Sequence, residues 1–282
     1  MRVRSISKTP LPLTNRGNLT VYFLGTGSAF TKQNYQNNIL IIKGQDHLMV
    51  DFGTLASRAL MDVGRSVMDL RNYYVTHLHA DHIGGLEEVM LVNRYVAGRK
   101  PTIYITEKFQ DLLWNLSLRG GAEFNERHDG MALDFTDFWA TERPTPRPDL
   151  PRECHEFNVG AINVKTFRTR HYPEQAQSWE DAFHSTGLLL DDRVFFSGDT
   201  QFDPELIHTF DERFSIETIF HDVQFFTGGI HASLEEVSTL PASVRKRMYL
   251  MHYPDSWQDQ QEAVANAGMR FAHRNSIYTF SK

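Results

Sequence analysis

Four side chains able to bind a metal ion fall within six residues of each other in Thr76-His77-Leu78-His79-Ala80-Asp81-His82-Ile83-Gly84-Gly85. The segment directly follows the strand-like Asn72-Tyr73-Tyr74-Val75. Alternation along an extended chain sends His77 and His79 to the same side, while Asp81 and His82 fall where the chain turns. A single histidine in such a place would read as part of a solvated polar loop. This spacing, at the end of a strand and before Gly-Gly and a helix, lets two ions share one loop.

Two ions need more ligands than the loop supplies, so isolated His or Asp residues are expected at other strand ends. His171 follows the alternating run 161–168, Asp199 sits in Ser197-Gly198-Asp199-Thr200 after Val194-Phe195-Phe196, and His252 ends Met248-Tyr249-Leu250-Met251. His184, in Phe183-His184-Ser185-Thr186-Gly187, also borders a strand and competes with His171 for the same role. A carboxylate has two oxygens and a charge, so it can bridge two cations, whereas a neutral imidazole binds one metal per available nitrogen. Asp199 is the expected bridge.

The rest of the chain reads as an alternation of strands and helices. Residues 19–24, 38–43 and 47–52 are short β-rich runs, and 54–63 and 86–96 carry helical spacing that closes near Gly64 and Gly98. Further strands are expected at 161–168, 187–190, 194–197, 216–221 and 248–252, with helices at 204–212, 240–247 and 258–267. The stretch 120–156 is polar, rich in proline at 143–152 and weakly periodic. It reads as a long excursion with Phe124, Phe135, Phe138 and Trp139, either a lid, specificity wall or subunit contact or an aromatic-pinned surface loop. With no repeat or linker in view, one domain over 1–282 with an N-terminal extension at 1–18 is the economical account.

Composition narrows the function. The formal charge of −6 excludes a strongly basic nucleic-acid coat, and 41% hydrophobic residues suffice for a sizeable core. The one cysteine, Cys154, excludes disulfide frameworks and cysteine-rich zinc knuckles and suits a reducing compartment. The basic N-terminus is interrupted by proline and lacks an apolar stretch, and no segment approaches the roughly 18 apolar residues of a membrane span. A soluble, cytoplasmic protein is expected.

The HxHxDH segment, the upstream Val50-Asp51-Phe52-Gly53, a later histidine, the Ser-Gly-Asp-Thr turn and the final strand-terminal histidine together resemble the metallo-β-lactamase superfamily. That resemblance implies an α/β fold of four layers, αβ/βα, with two mixed sheets flanked by helices and a two-metal site at one edge. The metals would be zinc by default, with manganese or iron as alternatives. It further implies one metal held by His77, His79 and His171, and another by Asp81, His82 and His252, with Asp199 between them. His171 is preferred over His184 because the family's third histidine also ends a long strand. Asp51 would orient the loop from behind; alternatively it simply starts a turn before Gly53.

Within the superfamily, Phe23-Leu24-Gly25-Thr26-Gly27-Ser28-Ala29 and Phe220-His221-Asp222 followed by Gly229-Ile230-His231-Ala232-Ser233 are similar to ribonuclease Z and its phosphodiesterase relatives. The likeness implies that His231 is the general acid for the leaving group and Asp222 its orienting partner, with Asp where the family has Glu. Otherwise His231 merely N-caps or flanks the helix at 233–237. The implied reaction is phosphodiester hydrolysis by a metal-bridging hydroxide, with Asp81 among the catalytic residues.

Asp199 follows His171 by only 28 residues (199 − 171), too short for the tRNA-binding arm of many bacterial ribonucleases Z. Small or cyclic nucleotides are therefore the expected substrates, and nucleic acid is disfavoured. The alternatives are a tRNA 3′-processing endonuclease and a lactone or thioester hydrolase on the same fold. A homodimer is the expected assembly. His79 argues against the diiron branch, which usually carries Glu in place of the loop's second histidine.

Overall fold

The apolar runs pair into two eight-stranded sheets in the computed structural model, which describes residues 1–6, 10–128 and 130–281. Residues 7–9 of the expected extension, residue 129 of the stretch 120–156 and residue 282 lie outside the described residues. The first sheet has the order Arg2–Ser5, Ser276–Phe280, Leu19–Gly25, Asn38–Lys43, Asp46–Val50, Asn72–Tyr74, Thr102–Tyr104, Ala140–Glu142. The second has the order Thr145–Pro146, Cys154–Val159, Ile162–Arg168, Thr186–Leu190, Val194–Phe196, Thr218–Asp222, Met248–Met251, Arg270–Phe271.

Each sheet is antiparallel on one side and parallel on the other, and the connections explain why. In the first sheet the pairing turns parallel after Asp46–Val50. The helices Ala56–Asp62 and Leu86–Tyr95 supply the crossovers that parallel neighbours need. In the second it turns parallel after Val194–Phe196, where Pro204–Arg213, Ala242–Arg245 and Gln261–Asn266 do the same. Asp203 opens the Pro204–Arg213 helix by accepting the Leu206 N–H, with proline at the first position, where no donor is needed.

Three apolar layers result. Leu19, Val21, Phe23, Ile39 and Ile41 face the other sheet, whereas Tyr22, Leu24, Leu40 and Ile42 face the helices on the outside of the first sheet. Both faces of these strands are buried, so they read as near-continuous apolar runs. A third layer packs Leu189, Phe195, Ile219 and Leu250 against the helices of the second sheet. Phe23, Phe220 and Tyr278 join the two sheets through edge-to-face contacts, with centroids 5.0, 5.6 and 5.1 Å apart.

The stretch 120–156 departs from its expected form. Phe135, Phe138 and Trp139 are buried in the first core, and Ala140–Glu142 and Thr145–Pro146 close one edge of each sheet. Cys154–Val159 forms a full strand paired with Ile162–Arg168. Its first part, where Phe124 is exposed, stands outside the two large sheets and carries its own short pairing of Arg127–His128 with Met131–Ala132. The edge strands are two and three residues long, too short for alternation to show in sequence.

Phe220→Ala should lower unfolding stability in urea by about 3–5 kcal/mol, because it empties the aromatic contact between the sheets. Met61→Ala on the exposed face of its helix should change it by less than about 0.5 kcal/mol.

Candidate metal centre

The loop after Asn72–Tyr74 carries His77 and His79, and the short helix Ala80–Ile83 turns Asp81 and His82 back toward them. The loop is fixed from behind by Asp51. Its carboxylate accepts the Thr76 N–H at 2.7 Å, the Thr76 hydroxyl at 2.8 Å and His82 Nδ1–H at 2.7 Å. A donor role for Nδ1 leaves Nε2 of His82 as the outward nitrogen. Gly53 is required beside it, since a Cβ there would lie 2.0 Å from the Asp81 carbonyl oxygen. Asp51 adopts φ 62°, a left-handed conformation that costs a non-glycine residue about 1–3 kcal/mol and is held here by the surrounding bonds.

The second sheet supplies the rest from its strand ends. His171 follows Ile162–Arg168 and donates Nδ1–H to the Ile230 carbonyl at 2.8 Å. Its Nε2 lies 3.1 Å from His79 Nδ1, which is 3.0 Å from His77 Nε2. Asp199 follows Gly198, whose φ of 60° and 2.3 Å approach of a Cβ to the Thr186 carbonyl oxygen admit only glycine. Asp199 Oδ2 is 3.2 Å from His82 Nε2, 3.2 Å from His252 Nε2, and 3.9 Å from Nε2 of both His77 and His171. His252 Nε2 also stands 3.2 Å from Asp81 Oδ2, and its backbone N–H is held by the Thr26 carbonyl.

Among the described residues four overlapping groups have potential ligand atoms within 4.8 Å of one another: His77/His79/His171, Asp81/His82/Asp199/His252, and two at the edge that include His231, His171/Asp199/His231 and Asp222/His231/His252. His184 joins none of them. It stacks on Phe109 at 4.4 Å, and burial, aided by Arg168, pushes its pKa down to about 3.

The donors fit divalent cations on physical grounds. His82 Nε2, both Asp199 carboxylate oxygens and His252 Nδ1 are buried without a hydrogen bond. Buried polar and charged atoms left this way are costly, and a cation among them would satisfy several at once. Burial holds His77 and His171 far below the usual imidazole range, so both are neutral and ready to coordinate. Burial opposes charge at His82 and His252 as well, but the adjacent Asp81 and Asp199 outweigh it and raise both. The same two histidines hold Asp199 and Asp81 well below the carboxylate range despite burial.

At the edge of this cluster His231 Nδ1 lies 2.8 Å from Asp222 Oδ2, which also accepts the Thr200 N–H at 3.1 Å. The His231 ring is 4.5 Å from that of His252 and 4.9 Å from that of His171. Ser233 caps the helix Leu234–Val237, so His231 is not its cap. Sequence reasoning missed Thr76, which bridges Asp51 to the loop, and Tyr172, whose ring lies 4.5 Å from His79. Neither residue type carries a distinguishing local signal.

A family model described as "Anti-Pycsar protein Apyc1" matches residues 19–278. The anti-Pycsar protein Apyc1 of Paenibacillus sp. (strain J14) is 32% identical over 263 residues, covering 93% of this chain and 99% of the relative. That of Bacillus phage BSP38 is 35% identical over 262 residues, covering 92% and 97%. Among solved structures, the metallo-β-lactamase fold protein YhfI from Bacillus subtilis superposes with a TM-score of 0.67 at 14% identity, over 93% of this chain and 100% of that one. The fold is that of the metallo-β-lactamase proteins, as the motifs imply.

Asp51→Asn should fold yet bind Zn2+ about 10–100-fold more weakly in competition with a chelator, since it misorients His82. His171→Ala should lower the metal content of the purified protein, and His184→Phe should leave it unchanged. His184 is neutral in the fold but takes a proton in the unfolded chain below about pH 6.5, so it should cost stability as pH falls from there toward 3. His184→Phe should therefore flatten that limb of a stability–pH profile measured in urea.

Proposed function

Because the chain belongs to the anti-Pycsar protein Apyc1 family, we propose that it is a metal-dependent phosphodiesterase acting on small or cyclic nucleotides. The observation that carries this reading is the 2.8 Å His231–Asp222 pair beside the buried histidine–aspartate cluster. A cyclic phosphodiester has a poor alkoxide leaving group, and such a group gains most from a proton donor at its side.

In this reading His77, His79 and His171 would hold one divalent ion and Asp81, His82 and His252 another, with Asp199 available to both. Zinc suits the imidazole-rich set. When bound, two such ions would supply a nucleophile from water at neutral pH and offset charge growing on the phosphoryl oxygens. The chain's own residues do the rest. Asp222 accepts from His231 Nδ1 and so directs the proton to Nε2, the nitrogen that gives it to the departing oxygen. The Thr200 N–H fixes the Asp222 carboxylate, which keeps the imidazole in one orientation. Asp51 and the Ile230 carbonyl perform the same service for His82 and His171, holding Nδ1 so that Nε2 is the ligating atom.

Chelation should abolish hydrolysis of bis-p-nitrophenyl phosphate and of cyclic nucleotides, and added Zn2+ or Mn2+ should restore it. His231→Ala should reduce turnover of a cyclic nucleotide by about 10²–10⁴-fold while cutting that of the activated nitrophenyl ester far less. Equal losses on the two would remove His231 as the acid. A precursor tRNA or a lactone cleaved faster than every cyclic nucleotide would move the chain to another branch of the fold.

A further inference from the structure

Beside the His231–Asp222 pair lies a recess of about 390 Å³ whose lining includes His231, His252, Phe30 and Phe226. Its size suits a small organic ligand. Phe30 is 89% exposed and Phe226 67% exposed. Leaving two phenyl rings in water at one site forgoes about 25 cal/mol for every Å² of apolar surface, which folding does not reward.

Both rings stand on fastened backbone. The Asp255 carboxylate accepts the N–H groups of Lys32, Gln33 and Asn34 at 2.7, 3.1 and 3.0 Å, which pins the chain just after Phe30. Thr31 Oγ1 donates to the Ser28 carbonyl at 2.8 Å across the same turn. The Phe226 loop is closed at its base by Gln224 N–H to the Ala232 carbonyl at 2.8 Å, and from within by Gln224 Nε2–H to the Phe226 carbonyl at 3.0 Å.

No Lys or Arg lines the recess among the described residues, so away from its His231 and His252 end it offers no cationic side chain to a phosphate. It opens instead beside the proton donor, where the organic part of a phosphoester would extend. A flat, uncharged ring with polarisable faces matches two exposed phenyl groups, and stacking on them needs no reading of the ring's edge. We infer that this recess is the base subsite of a nucleotide, with Phe30 and Phe226 as its stacking residues. The inference rests on the phosphodiesterase reading for its substrate class and extends it to residues outside the metal cluster.

The test is equilibrium binding of 2-aminopurine riboside 5′-monophosphate, whose fluorescence is quenched when its ring stacks on an aromatic side chain. The wild-type protein should quench it. Phe30→Ala and Phe226→Ala should each raise the Kd about five- to tenfold, Phe30→Leu should lose most of the quench, and Phe30→Tyr should keep it. Absent quenching, or Kd values unchanged in both alanine variants, would overturn the subsite. A shift from dimer to monomer in either variant with nucleotide Kd unchanged would also overturn it, by assigning the patch to a second copy of the chain.

A base-free ribose cyclic phosphate separates the two ideas. If wild-type kcat/KM is equal for it and for a cyclic nucleotide, the phosphodiesterase stands and the subsite falls. Quenching without hydrolysis of any phosphodiester supports the subsite and removes the phosphodiesterase.

Discussion

The Asp199 carboxylate is fully buried, carries no hydrogen bond on either oxygen, and lies 3.2 Å from imidazole nitrogens of both His82 and His252. An ionised group in that position is tolerable only if positive charge surrounds it, so the architecture around it is a device for bringing cationic or cation-binding groups to one point. Those groups come from strand ends of both sheets, and the sheets must therefore stack in one relative position. The contact of Phe23, Phe220 and Tyr278 between them is part of what sets that position. Its link to the site is short, because Phe220 is two residues from Asp222 on the same strand.

Around Asp199 the histidines divide into two electrostatic classes. His77 and His171 touch mainly other imidazoles and are held neutral by burial, whereas His82 and His252 face carboxylates and are drawn toward the charged form. The contrast is one of neighbours, since all four are equally buried. Asp51 belongs to the second class by contact with His82, and its own carboxylate is raised by burial despite that contact. Its left-handed backbone, and that of His252 at φ 60°, place conformational strain at the site itself, where surrounding hydrogen bonds sustain it.

Some of this was legible in the sequence because the information is local. His77, His79, Asp81 and His82 lie within one turn after a strand, and Asp199 and His252 each follow a short apolar run, so strand-end placement could be read directly. The choice between His171 and His184 could not. Ile162–Arg168 and Thr186–Leu190 are antiparallel neighbours with Arg168 opposite Thr186, so both histidines leave the sheet at the same end. The path of the intervening loop sends His171 to the cluster and His184 onto Phe109. The strands within 120–156 are hidden from the sequence for a related reason. The two- and three-residue edge strands derive from pairing with distant partners and leave no periodic trace.

By itself, then, the sequence determined the kinds of donor atom, the order in which they occur, the mixed strand–helix pattern and the glycines that let the chain turn sharply beside Asp81 and Asp199. Tertiary structure decided which histidines converge, that Asp222 holds His231 across the eight intervening residues 223–230, and that Phe30 and Phe226 line one recess although they are far apart in the chain. The reason is range. Hydrophobic alternation and turn chemistry act over a few residues and are written locally, whereas a binding site is a set of distances of a few ångströms between chain segments that only the packing of two sheets brings together.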